Sequence, residues 1–199
     1  MANLPDFDSL WDYDKPEETE SKFRKLLTAA ERSQNTAYHA QLLTQIARAQ
    51  GLQRKFAEAH GTLDTAERLL GVTRIYDSSP GLFIRGADGV IAPKVSAMSV
   101  RDLVRAKIRI LLERGRVFNS AKQPERARPL FLEAWELGQS AGHDFYAVDA
   151  AHMMAIIEPP EAQMEWNLKA LALAERSPDA RAANWRGSLY NNIGWTHHD

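Results

Sequence analysis

The chain has 199 residues, with 25 Lys and Arg against 26 Asp and Glu, and 44% of its residues are hydrophobic. This composition is typical of a folded domain and excludes both a disordered tail and a strongly basic nucleic-acid-binding protein. No apolar run reaches the length of about 18 residues that a membrane span requires. The chain has no cysteine, which excludes disulfides, thiolate metal sites and cysteine nucleophiles.

The first twenty residues carry seven acidic side chains and one lysine. A signal peptide would begin with basic residues, so we expect a cytoplasmic protein. Residues 1–15 are predicted to form an acidic N-terminal arm ahead of a helical domain at residues 16–199. The arm contains the apolar side chains of Phe7, Leu10, Trp11 and Tyr13. We expect these four to fold back as an apolar cap over the first helices.

Apolar residues recur at three- and four-residue intervals along most of the remaining chain, which is the spacing of amphipathic helices. Ala40, Leu43 and Ile46 are one such set. Glycines and prolines divide the pattern into separate segments. We predict helices at residues 17–33, 36–50, 55–70, 99–119, 123–140, 143–157, 160–177 and 182–198. The predicted fold class is therefore all-α, with antiparallel helix pairs joined by short turns.

Small residues occupy matching positions in successive helix pairs. Ala47 precedes Ala59 by twelve residues, and Gly115 precedes Ala127 by the same number. This pattern resembles the tetratricopeptide repeat, a 34-residue helix–turn–helix unit whose small residues allow its two helices to approach closely. The resemblance covers about residues 36–73 and 100–199. It implies a right-handed solenoid of about three and a half repeats, preceded by an N-terminal helix.

A non-repeat insertion is predicted at about residues 71–98. Ala59 and Ala127 lie two repeat lengths apart, but a repeat between them would place Pro93 inside a helix, at a cost of about 3 kcal/mol. Apolar segments at residues 82–85 and 90–92 flank a glycine-containing turn, so we predict a short hairpin. We favour a variable surface loop. The alternative is a lid or a self-association arm that uses Phe83 and Ile84.

Arg101, Arg105 and Arg109 recur every four residues on the helix predicted at residues 99–119. Side chains at this spacing share one helix face. Such a stripe can bind phosphate or an acidic segment, although most charged faces are simply solvated. We favour the solvated face.

The last predicted helix has no partner. Gly194 stands at the small position of a further repeat, and the sequence ends at Asp199. A repeat helix without its neighbour exposes an apolar face, here that of Tyr190 and Ile193. We expect the natural protein to continue beyond this point, and the alternative is that a second copy covers the face.

The resemblance also implies a binding surface, because the first helices of such repeats line a concave groove that holds a partner's peptide. The residues that it places in the groove are Thr44, Gln45, Arg48, Glu113, Arg116, Asn119, Asp149, His152, Asn191, Asn192 and Trp195. Arginine binds carboxylates through its fork of donors, and amides can hold a peptide backbone. Glu113 with Arg116, and Asp149 with His152, stand three residues apart, so internal pairing is an equal alternative.

We therefore expect a non-enzymatic interaction module or scaffold that binds a segment of another protein in this groove, and an acidic segment would suit its arginines. The alternative is a small-molecule or catalytic site in which Asp149 orients His152, Arg116 holds an anion and Trp195 stacks on a ring. No phosphate loop, nucleophile elbow, zinc motif or dinucleotide fingerprint is present. We expect no cofactor, metal, membrane or nucleic acid as partner. A homodimer through the last helix is a third alternative.

Overall fold

A computed structural model describes residues 4–78, 81–86 and 97–196, with the backbone alone described for residues 72–78, 81–86, 97–99 and 196. The all-α class is confirmed, with one hairpin beside the helices. The elements are a 3₁₀ turn (Phe7–Leu10), α1 (Pro16–Arg32), α2 (Thr36–Leu52), α3 (Phe56–Leu70), β1 (Val72–Ser78), β2 (Gly81–Gly86), α4 (Ala97–Ser120), α5 (Pro124–Ser140), α6 (Asp144–Ile157), α7 (Pro160–Arg176), α8 (Ala180–Ala183) and α9 (Arg186–Thr196).

The helices begin where local chemistry favours a start. Pro16, Pro124 and Pro160 stand in the first turn of α1, α5 and α7, where the missing N–H of proline costs no hydrogen bond. The side chain of Asn35 accepts a hydrogen bond from the backbone N–H of Tyr38 and caps α2. As a result, the first seven predicted helices are present with both ends within two residues of the prediction.

The eighth predicted helix, residues 182–198, is wrong in its bounds. The chain forms α8 and α9 instead, separated by a turn at Asn184 and Trp185. The side chain of Asp179 accepts a hydrogen bond from Arg181 N and starts α8 early. No glycine or proline stands at the turn, so the sequence carries no breaker that would have predicted it.

Four interhelical turns share a conformation in which the middle residue has a positive φ. These residues are Gln34 (55°), Arg54 (62°), Lys122 (62°) and Gly142 (65°). After three of them the next backbone N–H bonds to a carbonyl five residues back, at 2.8–3.0 Å. This left-handed C-terminal motif closes a helix within three residues. A connection that short makes neighbouring helices run antiparallel.

The buried side chains form two clusters, and α4 belongs to both. One cluster joins the arm, α1, α2 and α3 to Ala106 and Ile110 of α4. The other joins Val104 and Ile108 of α4 to the helices from α5 to α9. Helix α4 also packs against α2 on one side and α6 on the other. Three helices therefore lie side by side, and the candidate site lies across them.

The predicted small positions lie at close helix contacts. Ala47, Ala59 and Ala127 are fully buried. A Cβ built on Gly115 would lie only 2.4 Å from the ring of Phe131 in α5. The close approach of α4 and α5 at this point therefore requires glycine.

Only one of the two segments predicted to form the insertion hairpin lies within the described residues. Residues 82–85 do form a strand, but it pairs antiparallel with residues 74–77, which precede it. The earlier segment is rich in the β-branched and aromatic residues that favour strands. The other predicted partner, residues 90–92, and all side chains of the hairpin lie outside the described residues. The lid or self-association arm suggested for Phe83 and Ile84 therefore lies outside them as well.

None of the helices in the described ranges has the length and apolar character needed to cross a membrane.

Candidate functional site

Helices α2, α4 and α6 form one wall of a cavity of about 760 Å³, and the N-terminal arm forms the other. We call the surface of these three helices that faces the cavity the groove, and the arm lies on part of it. The lining of the cavity carries the guanidinium groups of Arg48, Arg105, Arg109, Arg116 and Arg181. Carboxylates of the arm and the helices line the cavity as well. So do the rings of Trp11 and Tyr13 in the arm, Tyr38 in α2 and Tyr146 in α6. The groove is therefore polar and aromatic, with both charge signs present.

Four of the predicted groove residues form a continuous row of ion pairs across the three helices. Arg48 Nη1 of α2 lies 3.2 Å from Glu113 Oε1, and Arg116 Nη1 lies 2.7 Å from the same oxygen. Arg116 Nη2 also donates to both carboxylate oxygens of Asp149 in α6. The side chains of Glu113 and Asp149 are only 7% and 13% exposed. We call this row the ion ladder.

The ion ladder changes the interpretation of these residues. The predicted pair Glu113 and Arg116 is present, whereas Asp149 bonds to Arg116 rather than to His152. Burial alone would lower the pKa of Arg116, but Asp149 and Glu113 outweigh it and raise the pKa, so the guanidinium stays charged. Removing one partner from a buried ion pair is strongly destabilising, because the other charge is left uncompensated. A carboxylate of a ligand would have to compete with Glu113 and Asp149.

The arm lies along α2 and α4 in the groove. Tyr38 Oη of α2 donates to the carbonyl of Pro5 at 2.9 Å, and the ring of Phe7 packs edge-to-face on Tyr38 at 5.1 Å. Further along, Trp11 Nε1 donates to Gln45 Oε1 at 2.8 Å. Phe7 is only 6% exposed and belongs to the first core cluster. Both polar and apolar contacts therefore hold the arm in place.

A two-pronged ion pair joins the arm to α4. Arg109 Nη2 lies 2.7 Å from Asp8 Oδ1, and Nη1 lies 3.0 Å from Oδ2. Arg109 Nη1 also donates to Tyr146 Oη of α6 at 3.2 Å. Burial opposes the charge on Arg109, but the hydrogen bonds that it donates to Asp8 and the electrostatic effect of Tyr146, Asp8 and Glu113 raise its pKa. The guanidinium also lies 5.4 Å from the centre of the Phe7 ring.

The predicted arginine stripe therefore divides into three different roles. Arg101 donates to the carbonyl of Gly142, and Arg105 pairs with Asp102 on its own helix. Arg109 alone of the three bonds to the acidic arm. The solvated face that we favoured is wrong for this residue, which is 7% exposed, because the arm covers it.

The predicted apolar cap is present in most of its members. Phe7, Leu10 and Trp11 pack with the first cluster. Tyr13 stacks on Trp11 at 4.7 Å but remains 59% exposed. Besides the first helices, the cap also reaches α4, where the guanidinium of Arg109 lies over the ring of Phe7.

The remaining predicted residues on α2 and α4 lie in or beside the groove. Thr44 is fully buried and donates to the carbonyl of Gln41 at 2.6 Å. The amide oxygen of Gln45 accepts from the indole N–H of Trp11, so this amide contacts a side chain of the arm and not its backbone. Asn119 lines a smaller cavity of about 180 Å³ beside Arg48 and Arg116.

The predicted residues nearest the end of the chain are not brought into the groove. Asn191 and Trp195 are exposed, Trp195 at 66%. His152 Nδ1 lies 3.3 Å from Asn192 Nδ2, and its ring lies 5.1 Å from that of Trp185. Burial lowers the pKa of His152, the charge of Asp149 opposes this effect, and Arg116 adds to it.

The apolar face predicted for the last helix is present only in part. Tyr190 is 55% exposed, and its hydroxyl donates to Glu175 Oε1. Ile193 is half-buried and packs against the second cluster. Ile193 is therefore only partly exposed, on a helix that packs against α7.

Sequence reasoning missed one set of groove residues that the repeat register could have found. Gln41, Arg109 and Phe145 all line the groove. Each stands six positions before the small residue of its helix, which is Ala47 in α2, Gly115 in α4 and Ala151 in α6. The prediction used only the positions next to the small residue and one turn away from it. Extending the same register toward the start of each helix would have included Arg109.

Among the described residues, no three His, Asp or Glu side chains are grouped so that they could hold a metal ion. Comparison of the chain with protein-family models, with curated proteins and with solved structures gives no match.

Proposed function

We propose that the chain is a right-handed, tetratricopeptide-like solenoid that serves as a protein–protein interaction module and binds a segment of another protein in the groove. The observation that carries this proposal is the position of the arm. Residues 4–13 of the chain lie against α2 and α4 in the way a bound peptide would. A buried aromatic ring, a bidentate carboxylate and a bonded backbone carbonyl hold them there.

These three contacts are the ones by which grooves recognise short segments. Aromatic anchors in pockets supply much of the binding energy of an interface. Arginine donates two parallel hydrogen bonds to one carboxylate. A hydrogen bond to a backbone carbonyl holds a segment whatever its side chains are. The small residues at the helix contacts and the recurring interhelical turns support the solenoid.

The interaction module is better supported than the catalytic alternative. That alternative needs the carboxylate of Asp149 to orient His152, whereas both oxygens of Asp149 are engaged by Arg116. Trp195, which was to stack on a ligand ring, does not line the groove.

Selection from a random peptide library on the immobilised full chain tests this function. We expect selected peptides to lose at least about tenfold in affinity, or about 1.4 kcal/mol, when Arg48 or Arg105 is replaced by alanine. Both side chains line the groove. The matched control is Arg128→Ala on α5, which removes an exposed arginine whose ion pair with Glu158 lies outside the groove lining.

Affinity that falls in the two groove variants and stays unchanged in Arg128→Ala supports the module. A library that yields no binder contradicts it, and so do binders that respond equally to all three substitutions. Isothermal calorimetry with one selected peptide gives the affinities, and circular dichroism verifies that each variant is folded.

A further inference from the structure

The arm has two parts that are held in different ways. Residues 11–14, the arm base, are fixed to α1: Asp12 N donates to Thr19 Oγ1, and this hydroxyl donates back to the carbonyl of Asp12. The ring of Trp11 also packs on Phe23 of α1 at 5.2 Å. Residues 4–10, the arm tip, reach α2 and α4 mainly through Phe7, Asp8 and the carbonyl of Pro5. The contacts that hold the tip are therefore separate from those that hold the base to α1.

The ion pair of the tip is unequal in its burial. The side chain of Arg109 is 8% exposed, whereas that of Asp8 is 50% exposed. In the part of the chain that the structure describes, Asp8 is the carboxylate that forms an ion pair with Arg109. A buried cation without its partner is costly, so any segment that replaces the tip must bring an anion to the same place.

The ring of Phe7 defines the second requirement. It packs between Tyr38 and the guanidinium of Arg109, at 5.1 Å and 5.4 Å. An arginine beside the face of an aromatic ring is favourable, and the pocket excludes the ring from water. A replacement segment without an aromatic side chain would leave this pocket empty.

We propose that the arm tip is an internal ligand, and that the partner of the groove is a protein segment with an aromatic residue followed directly by Asp or Glu. These two residues take the places of Phe7 and Asp8. The inference rests on the proposed function and specifies its partner. The tip competes with the partner, so the protein restrains its own binding until the tip is displaced.

The competition has a measurable size. A segment joined by a short linker acts at an effective concentration in the millimolar range. If the free segment binds with a dissociation constant of about 0.1 mM, the tethered tip weakens the apparent affinity of a competitor about tenfold. A variant whose tip cannot occupy the site should bind the same competitor with its full affinity.

The probe is the acetylated and amidated peptide Leu-Pro-Asp-Phe-Asp-Ser-Leu, which has the sequence of residues 4–10. We expect it to bind the full chain with Phe7→Ala and Asp8→Asn at least about tenfold more tightly than it binds the unchanged chain. A probe with alanine in place of its phenylalanine should bind neither protein. The matched control is Asp14→Asn, which removes an exposed acidic residue of the arm base and should bind as weakly as the unchanged chain.

A second measurement leaves the tip intact, in case the double variant fails to fold. The chain has no cysteine, so Ser9→Cys gives a single thiol on an exposed position of the tip that can carry a fluorophore. Excess probe should displace the tip and lower the fluorescence anisotropy of the label in a saturable way. The alanine-containing probe should leave the anisotropy unchanged.

The proposal is overturned if the folded double variant binds the probe no better than the unchanged chain. It is also overturned if the label does not respond to the probe, or if it responds equally to the alanine-containing probe. These failures are distinct from failure of the proposed function. Library peptides that depend on Arg48 and Arg105 but lack the aromatic–acidic pair would retain the function and refute the partner. If the probe displaces the tip but no library peptide depends on Arg48 or Arg105, the proposed function fails. The groove would then be a binding site only for the tip of its own chain.

Discussion

Replacing Gly115 by alanine tests the close approach of α4 and α5. The added Cβ would lie 2.4 Å from Cε1 of Phe131 and 2.8 Å from Cδ1 and Cζ, whereas carbon atoms in contact rest about 3.5–4.0 Å apart. Phe131 is fully buried, so its ring has little open space around it. The ring, or α5 with it, must move by about 1 Å.

The expected loss is the difference between two terms. Overpacking a core costs about 1–3 kcal/mol, and overlap with three ring atoms places this site near the upper end. Alanine is favoured over glycine inside a helix by up to about 1 kcal/mol. Gly115→Ala should therefore lower the free energy of unfolding by about 2 kcal/mol.

Gly61→Ala is the matched control, because it makes the same change in α3, where a Cβ meets nothing within 4 Å. It should raise the free energy of unfolding by about 0.5–1 kcal/mol. Urea unfolding followed by circular dichroism measures both. Adding Phe131→Leu to Gly115→Ala should cost less than the sum of the single changes, because the smaller side chain relieves the overlap. Equal stability of the two alanine variants, or strict additivity in the double variant, would refute this account of the small position.

Three further predictions concern charged groups. Asp8→Asn should lower the free energy of unfolding by about 1–3 kcal/mol, because a buried guanidinium loses its charged acceptor, while Asp14→Asn should change it by less than about 0.5 kcal/mol in the same urea assay. Burial and a neighbouring arginine lower the pKa of His143 to about 4 from 6.5. As the pH falls below 6.5, the imidazole is therefore protonated in the unfolded chain before it is protonated in the folded one. The free energy of unfolding should fall from pH 6.5 towards pH 4, and it should fall less steeply in His143→Gln. Asp149→Asn should lower the pKa of His152 further, measured by NMR titration, because it removes the charge that raises this pKa.

Each of these predictions has a contrary result. Equal stability of Asp8→Asn and Asp14→Asn would mean that the charge of Asp8 does not stabilise the buried guanidinium of Arg109. Parallel pH profiles for the unchanged chain and His143→Gln would show that this histidine is not buried in its neutral form. A raised pKa of His152 in Asp149→Asn would mean that the carboxylate acts on the ring mainly through something other than its charge.

The helices could be predicted from the sequence because their signals are local. The recurrence of apolar residues every three or four positions, a proline in the first turn and a capping side chain all act within a few residues of each other. The bounds of α1 to α7 could therefore be predicted from the sequence. The turn between α8 and α9 could not be predicted, because no residue type at Asn184 and Trp185 breaks a helix. The β1 strand was missed because the insertion was interpreted from its glycines rather than from its β-branched residues.

The sequence predicted which residues come together in the ion ladder, but it did not predict how they pair. The repeat register placed Arg48, Glu113, Arg116 and Asp149 near one another, and they do meet in the ion ladder. Which carboxylate pairs with which arginine depends on the lateral spacing of α2, α4 and α6. That spacing is set by the packed core, and no pattern within one helix reports it.

The sequence by itself determined the fold class, the boundaries of α1 to α7 and the close contact at Gly115, since each depends on neighbours along the chain or on a fixed repeat. Only the tertiary structure decided what lies on the groove. Asp8 and Arg109 are 101 residues apart, and their pairing exists because the buried Phe7 draws the arm across α2 and onto α4. A contact of that range is chosen by packing and desolvation over the whole domain, and so the groove and its internal occupant emerge only when the chain is folded.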